Sequence, residues 1–556
     1  SILFNILMCG IFAYLSNTDI KQSKLETIHR EGLKCRPRGP DNTVVRTINN
    51  NFMMFHRLKI NDTSDLGNQP LTHPDDFNLT LMCNGEIYNF RELINENKFN
   101  TKSNSDCEVI LHMYKKYGIE KTIKSLDGVF AFILIDSNVN KIFIGRDPIG
   151  IRSLYIGETS DKHLSIASEC KCLTEICDHI EAFPPGKYVV INDDNSDRTL
   201  DSLNYQKYYD YVYPNKHFDK TEILSQIRDK LDAAIEKRLI SDRPIGCLLS
   251  GGLDSSLITA LVAKRFNKGE LSTFSIGFEG SEDIKYARKV AEYLGTRHYE
   301  YIVTENVMIQ AVEEVIKSIE TYDITTIRAS TPMYLLSKYI KNNTDITVLF
   351  SGEGSDEASG SYMYFHNAPD PISFKEETVR LMTDLQYFDV LRSDKSTASN
   401  GLEVRVPFLD KEFINYYMSI DPALKIPNGG IEKYMLRKAF DGDLLPNDVL
   451  WRTKEAFSDG VSSKSKSWFE ILQDHINVRI SDAEFVKKQQ KYQHSPPQIK
   501  EALYYREIFD KHFGKHDNII PYYWLPKWNG NVSEPSARVL DSYNEESCKS
   551  IHQSSS

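Results

Sequence analysis

Long apolar runs are missing from the chain. The one extended hydrophobic stretch, residues 2–15, is broken by Asn5 and Gly10. It falls short of the roughly 18 apolar residues that a membrane-spanning helix requires, and without a basic segment ahead of it it makes a poor signal peptide. Cysteine is scarce and unframed: nine in 556 residues, an odd number without regular spacing, argue against a disulfide-stapled secreted protein and for a reducing compartment, the cytoplasm. The tightest group, Cys170, Cys172 and Cys177, has no second cysteine pair or clustered histidines beside it, so buried thiols are preferred over a zinc site. An excess of positive charge is lacking too. Lys plus Arg is 67 against 78 for Asp plus Glu, and the net charge of −11 repels polyphosphate and sets nucleic acid aside as a partner. No internal repeat is visible. What is present, 40% hydrophobic and 26% charged residues, is the composition of a globular protein long enough for several domains.

Two textures divide the chain. Up to about residue 190, short apolar runs at 80–83, 130–135, 142–144, 164–167 and 188–191 separated by turn residues predict strands. The stretch 192–201 turns polar, and 205–218 is aromatic without clean periodicity, so 194–218 reads as a linker. Asp219 and Glu222 then stand at capping-box spacing, and Ile223, Ile227, Leu231, Ile235 and Leu239 recur every fourth residue, which predicts a helix. Strands at 245–249, 273–278 and 347–350, two of them followed by helical patterns at 255–266 and 283–294, predict a parallel α/β sheet. The polar, Ser-rich end, 541–556, reads as a tail.

Two loops carry the chemistry. Ser250-Gly251-Gly252-Leu253-Asp254-Ser255-Ser256 lies between an apolar strand and an apolar helix; its glycines let backbone N–H groups approach an anion, and the helix N-terminus adds its positive dipole end. No Gly-Lys-Ser/Thr follows, so it is not the phosphate loop of kinases and GTPases. Ser351-Gly352-Glu353-Gly354-Ser355-Asp356-Glu357 follows a second strand. In an open parallel sheet both loops face the crevice beyond the carboxyl ends of the strands. Asp254 and Asp356 there are suitable oxygen ligands for a nucleotide-bound Mg2+.

The first loop resembles that of the ATP pyrophosphatases, which split ATP between the α- and β-phosphates and adenylate a substrate. With residues 320–323, Thr325, Thr326 and Arg328, the words 405–410, Trp451-Arg452, Lys454-Glu455 and residues 457–460, the chain resembles the glutamine-hydrolysing asparagine synthetase family from about Cys9 to Arg538. Cys9-Gly10-Ile11, Arg38-Gly39-Pro40-Asp41, His56-Arg57-Leu58, Gln69-Pro70, residues 84–89, Ser105-Asp106 and Gly145-Arg146-Asp147 follow in the family's order. Pro37 stands where the family commonly has His. The resemblance implies an α+β N-terminal-nucleophile sandwich (αββα) at 9–193, a class II glutamine amidotransferase, then an α/β doubly wound parallel-sheet ATP pyrophosphatase domain at 219–540. It also implies L-asparagine formation from L-aspartate, with ammonia from L-glutamine, through β-aspartyl-AMP, and a homodimer as a family expectation.

The resemblance assigns Cys9 as nucleophile with its own α-amino group as base, and Asn84 and the Gly85 N–H as oxyanion donors. Arg57 would clamp the glutamine carboxylate while Glu86 and Asp106 receive its ammonium, with Leu58, Lys59, Ile60 and Asn61 completing the pocket. Ser250, Gly251, Gly252, Asp254 and Ser255 would hold pyrophosphate and Mg2+, and Leu249, Ile276, Ser351 and Gly352 the adenosine. Glu353 would take a proton from ammonia, Lys454 would meet charge on the leaving group, and Thr325, Thr326 and Arg328 would recognise aspartate. Ammonia protonates in bulk water, so a sheltered path should join the two sites.

Three alternatives are weighed against this. Intact Cys9, Arg57, Asn84 and Asp106 speak against a β-lactam-forming relative that lost its glutaminase. Thr325, Thr326, Arg328 and Glu353 speak for aspartate over another adenylated substrate. No motif is broken at a reacting residue, as a silent sensor or storage protein would allow. Because Ser1–Met8 precede Cys9, an amide there would remove the base. Met8 is therefore read as an initiator that is removed, with 1–7 as upstream sequence. Terminal mass analysis is expected to find Cys9 first; a chain retaining residues 1–8 is expected to lose glutaminase activity and keep ammonia-dependent synthesis.

Overall fold

The computed structural model describes residues 9–16, 18–193, 198–216, 219–427, 430–452, 457–462, 466–530 and 532–536. The tail 541–556 and Lys454 lie outside them. Period-two alternation in the first unit produces two six-stranded antiparallel sheets. One runs His179–Ala182, Tyr155–Glu158, Leu164–Ala167, Gly10–Leu15, Asn51–Arg57, Asn42–Ile48. The other runs Gln206–Lys207, Lys187–Asn192, Lys141–Arg146, Gly128–Asp136, Asp76–Ile87, Leu71–His73. Ile11, Ala13, Met53 and Phe55 of the first sheet meet Ile133, Ile135, Ile144 and Val189 of the second in one buried core. Their alternates face outward: Phe12, Phe52 and Met54 pack with Ile28 of helix Gln22–Leu33. Leu81, Phe130 and Phe132 take Leu93, Ile110, Met113 and Ile123 from helices Phe90–Asn97, Val109–Tyr117 and Ile119–Ser125. This is the αββα sandwich expected, with every anticipated strand in it. The segment read as linker also supplies a strand, because Gln206 and Lys207 pair with Tyr188 and Lys187 at the sheet's edge.

The second unit opens with helix Lys220–Lys237. Asp219 caps it by accepting the Thr221 N–H at 2.9 Å, one residue short of the box geometry anticipated with Glu222. Ile223, Ile227, Leu231 and Ile235 bury its inner face. Five parallel strands follow in the order Arg297–Ile302, Ser272–Gly277, Ile245–Leu248, Val348–Phe350, Glu403–Arg405. The first strand in the chain is therefore the third in space, and the direction of winding reverses between Ile245–Leu248 and Val348–Phe350. That switch point opens the crevice in which open α/β sheets bind ligands, and the two glycine loops leave from the two strands that flank it.

The units are joined by buried charge. Asp394, on helix Asp389–Ala398 of the second unit, accepts from Arg38 Nη2 at 2.9 Å, Arg152 Nη1 at 3.2 Å and the Ser153 hydroxyl at 3.1 Å, all from the first. Arg38 Nη1 lies 2.5 Å from Glu169, and Lys171 bonds Glu169 at 3.0 Å. Lys395 pairs with Glu320, whose carboxylate also accepts the N–H groups of Cys170 and Lys171 at 2.7 and 2.9 Å. Arg152 meets Glu403 at 3.2 Å, Glu403 bonds Arg405, and Arg405 stands 3.6 Å from Glu86. Removing one partner from a buried pair strands the other charge in a low dielectric, typically at roughly 3–5 kcal/mol. Asp394→Ala is accordingly expected to lower stability by about 3–5 kcal/mol in urea denaturation followed by fluorescence, with Asp394→Asn losing less. A loss below about 1 kcal/mol, the scale of an exposed pair, would show that this cluster does not anchor the halves.

Candidate active sites

The first site is a narrow pocket between the sheets' ends. Cys9, Arg57, Leu58, Ile60, Asn61, Asn84, Gly85, Glu86 and Asp106 all line it, so the structure brings together nearly the whole expected set. Lys59 does not reach in: its side chain pairs with Asp65 at 3.1 Å, while its N–H fixes Asp41. The half-buried Cys9 thiol accepts the Leu58 N–H at 3.3 Å and lies 3.5 Å from the Leu58 carbonyl. Burial pushes it up to about 12, so it does not ionise by itself at neutral pH and needs a base to become a nucleophile. Asn84 sits on the strand Asp76–Ile87 with its Nδ2 buried and without a hydrogen-bond partner among the described residues. A buried unpaired donor costs free energy unless something fills it, and here it borders the pocket of the thiol. Gly85 is held to glycine because a Cβ would stand 2.1 Å from the Val129 carbonyl. Arg57 is fixed by the carbonyls of Ser64, at 2.6 Å, and Asp62, and by Asn68 at 2.8 Å.

Three carboxylates crowd this pocket. Burial, then the like charges of Glu403 and Asp106, hold Glu86 well above the usual carboxylate range. Burial, with Glu403 adding to it against the Ile87 N–H, pushes Asp106 up to about 6. Asn61 donates to Glu86, and the Ile87 N–H donates to Asp106 at 2.6 Å. Glu403 comes from the second unit and was not found by sequence reasoning, since only the fold carries it some 300 residues to this wall. Pro37 falls in the 3-10 turn Arg36–Arg38 at a position that tolerates its fixed φ. Arg38 emerges from that turn with Nε 3.0 Å from the Cys9 carbonyl.

The second site lies at the switch point and is a cavity of ≈ 220 Å³. Leu249, Ser250, Asp254, Ser255, Ile276, Ser351, Gly352, Glu353, Asp356, Thr325 and Arg328 line it. Gly252 opens onto an adjoining cleft that shares Ser250, Asp254 and Ser255 and adds Lys433, Arg437 and Arg452. Gly251, at φ +76°, packs where a Cβ would meet the Ala287 backbone at 2.4 Å, and a Cβ on Gly352 would stand 2.8 Å from the Asp254 and Ser255 backbone. The two loops thus touch through glycine. Gly252 precedes helix Leu253–Ala263 with no side chain capping it, leaving N–H groups for an anion.

Asp254 and Asp356 converge on one cation. Lys433 Nζ lies 2.6 and 2.7 Å from the Asp254 oxygens and 2.6 Å from Asp356 Oδ1. Two carboxylates that share one cation suit a hard metal ion that takes its other ligands from phosphate. Lys433 was missed in the sequence, where nothing local distinguishes it from a surface lysine. Glu353 pairs with Arg392, and burial raises its carboxyl against that pull. Thr325 and Thr326 both donate their hydroxyls at 2.7 Å to Asp323, the N-cap of helix Ile324–Asn343. Thr325 reaches the cavity, whereas Thr326 is buried and does not line it. Arg328 lies against Glu501 and Glu534.

An Ntn-type amidotransferase sandwich with a half-buried cysteine beside an unpaired amide, joined to a doubly wound nucleotide-loop domain, defines an amidotransferase-linked synthetase. The glutamine amidotransferase domain family matches residues 8–185, and the asparagine synthase family matches 226–377 and 368–540. The asparagine synthetase [glutamine-hydrolyzing] of Gallus gallus is 45% identical over 562 residues, 96% of this chain and 99% of its own. Those of Mus musculus and Homo sapiens are 45% and 43% identical over 564 residues, with the same coverage. The chain belongs to the glutamine-hydrolysing asparagine synthetase family.

Asp106 predicts a pH dependence. An ammonium entering the first pocket needs an ionised carboxylate, and Asp106, near 6, protonates as pH falls. KM for glutamine is expected to rise about tenfold between pH 7 and 5, as the ionised fraction of one group with that value falls. Asp106→Asn should flatten the profile; a wild-type KM constant across that range would contradict it.

Proposed function

We propose that the protein makes L-asparagine from L-aspartate, ATP and L-glutamine, releasing L-glutamate, AMP and pyrophosphate. The observation that carries this is the pairing, in one chain, of a cysteine pocket built for amide hydrolysis with a switch-point cavity built for a nucleotide. In the first site the Cys9 sulfur attacks the glutamine amide carbon. Once residues 1–8 are removed, the α-amino group of Cys9, with an unperturbed pKa of about 7.7–8.0, takes the thiol proton. Asn84 Nδ2 and the Gly85 N–H are suited to the developing oxyanion; the protonated amine returns the proton to the departing nitrogen, ammonia leaves as a thioester forms, and water hydrolyses the thioester to L-glutamate and the free thiol. Arg57, Glu86 and Asp106 supply the charges that match an α-amino acid.

In the second site the aspartate β-carboxylate attacks the α-phosphorus of ATP and pyrophosphate departs, giving β-aspartyl-AMP. Ser250, Gly252 and Ser255 offer the phosphate-facing groups, and Lys433, Arg437 and Arg452 neutralise charge on the departing oxygens. Leu249, Ile276, Ser351 and Gly352 wall the nucleoside. Asp254 and Asp356 would hold Mg2+, which offsets phosphate charge when bound. Ammonia then attacks the acyl carbon and AMP leaves, with Glu353, raised by burial, placed to take the proton. Thr325 and Arg328 face the aspartate. The sheltered passage for ammonia is supported by an apolar patch in which Leu58, Ile60, Val348 and Ala398 pack together beside Cys9. No described helix is long and apolar enough to cross a membrane; buried free thiols favour the cytoplasm.

The test is pyrophosphate release by protein beginning at Cys9, with ATP, Mg2+ and L-aspartate, and with glutamine, ammonium or neither added. Asparagine from either nitrogen donor is expected, and Cys9→Ala should abolish the glutamine-dependent activity while sparing the ammonium-dependent one. Absence of aspartate-dependent pyrophosphate under every condition would overturn the assignment.

A further inference from the structure

Two guanidiniums among the described residues line the synthetase cavity, Arg392, which pairs with Glu353, and Arg328, which stands by Thr325 and already holds two carboxylates. Its Nε and Nη2 donate to Glu501 at 2.8 and 2.6 Å, and its Nη1 and Nη2 donate to Glu534 at 2.6 and 3.1 Å. Four of its five N–H donors are therefore engaged. One guanidinium and two carboxylates leave a net negative charge where an anionic substrate must bind. Neither carboxylate is equivalent to the other. Glu501 is fully buried on helix Lys500–Phe513, and Tyr505 donates to it at 2.8 Å. Phe469 supports the guanidinium face at 5.1 Å. Glu534 is 18% exposed and belongs to residues 532–536, an irregular segment whose Pro535 and Ser536 face the cavity. Its carboxylate is held further by Gln473 at 2.6 Å and by the Ser536 N–H at 3.0 Å.

We propose that Glu534 is a resident competitor for aspartate: its carboxylate occupies the bidentate edge of Arg328 that a substrate carboxylate would take, and aspartate binds by displacing it. The proposal rests on the reading of Arg328 as an aspartate ligand. Glu501 keeps the guanidinium in place throughout, because it grips the adjacent Nε/Nη2 edge. Gln473 and the Ser536 N–H stabilise the closed arrangement without touching substrate, so the segment sets the apparent affinity for aspartate rather than the chemistry. An arrangement that is competent only part of the time raises the apparent constant by the inverse of that fraction. The same exclusion acts as a selectivity filter, since a ligand with no carboxylate to exchange for Glu534 would leave the edge closed.

The test is steady-state kinetics on the full chain with ammonium as nitrogen donor. Glu534→Gln, which keeps the shape and removes the charge, is expected to lower KM for aspartate about tenfold, as for a site open one time in ten, with kcat and glutaminase activity unchanged. Arg328→Lys is expected to raise KM for aspartate. If it does not, the reading of Arg328 fails. If it does, but Glu534→Gln leaves KM unchanged or raises it, Glu534 orients Arg328 and the competitor proposal is overturned. Hydrogen exchange gives a readout that a structural role would not move: saturating aspartate should accelerate exchange at the Ser536 amide, which is bonded to the Glu534 carboxylate, and an unaltered rate overturns the proposal as well.

Discussion

The buried carboxylate of Asp394 is the constraint on which both sites depend. Placing it between Arg38 and Arg152 fixes two first-unit side chains to one helix of the second unit. Arg38 also holds the Cys9 carbonyl, and Arg152 faces Glu403, a wall of the same pocket. The Cys9 backbone and the pocket's charge are thus set by a contact across the unit boundary. Desolvating so many ions costs several kcal/mol each, so the gain lies in defining one relative arrangement of the halves rather than in stability. Five cations and five carboxylates close the network among the described residues, with three of the cations from the first unit and three of the carboxylates from the second.

Helix Asp389–Ala398 shows how economical this arrangement is. Arg392 faces the synthetase cavity and pairs with Glu353, while Asp394 and Lys395 reach the interface. A helix of ten residues therefore touches Glu353 in one site and the anchor of the other. Any displacement of it would be felt at both, because packed elements move as bodies and do not deform continuously.

Much of this was legible in the sequence where the signal is local. Period-two and period-four patterns gave the strands and the helix after Asp219, since burial of one face follows directly from spacing. Glycine words marked the two loops at the switch point, because only glycine permits the close approach seen at Gly352 against Asp254. The cysteine pocket was assembled as expected apart from Lys59, which the backbone turns toward Asp65. The residues that escaped were non-local. Lys433 and Glu403 carry no distinguishing neighbours in the chain, and Arg405, although it opens the word 405–410, shows its contact with Glu86 only once the strands lie side by side. Thr326 shows the converse: both threonine hydroxyls donate to the N-cap Asp323, but the helix turns Thr326 into the interior while Thr325 lines the cavity, a choice of face that the word alone does not settle.

Glu403 and Arg405 sit on the edge strand of the parallel sheet, yet Glu403 closes the Cys9 pocket and Arg405 adjoins Glu86 there. The boundary drawn by fold is consequently not a boundary drawn by chemistry. A shuffled gene that grafted this sandwich onto a different acceptor domain would transplant the nucleophile but leave its binding pocket one wall short, so the two halves form an inherited pair, not interchangeable parts.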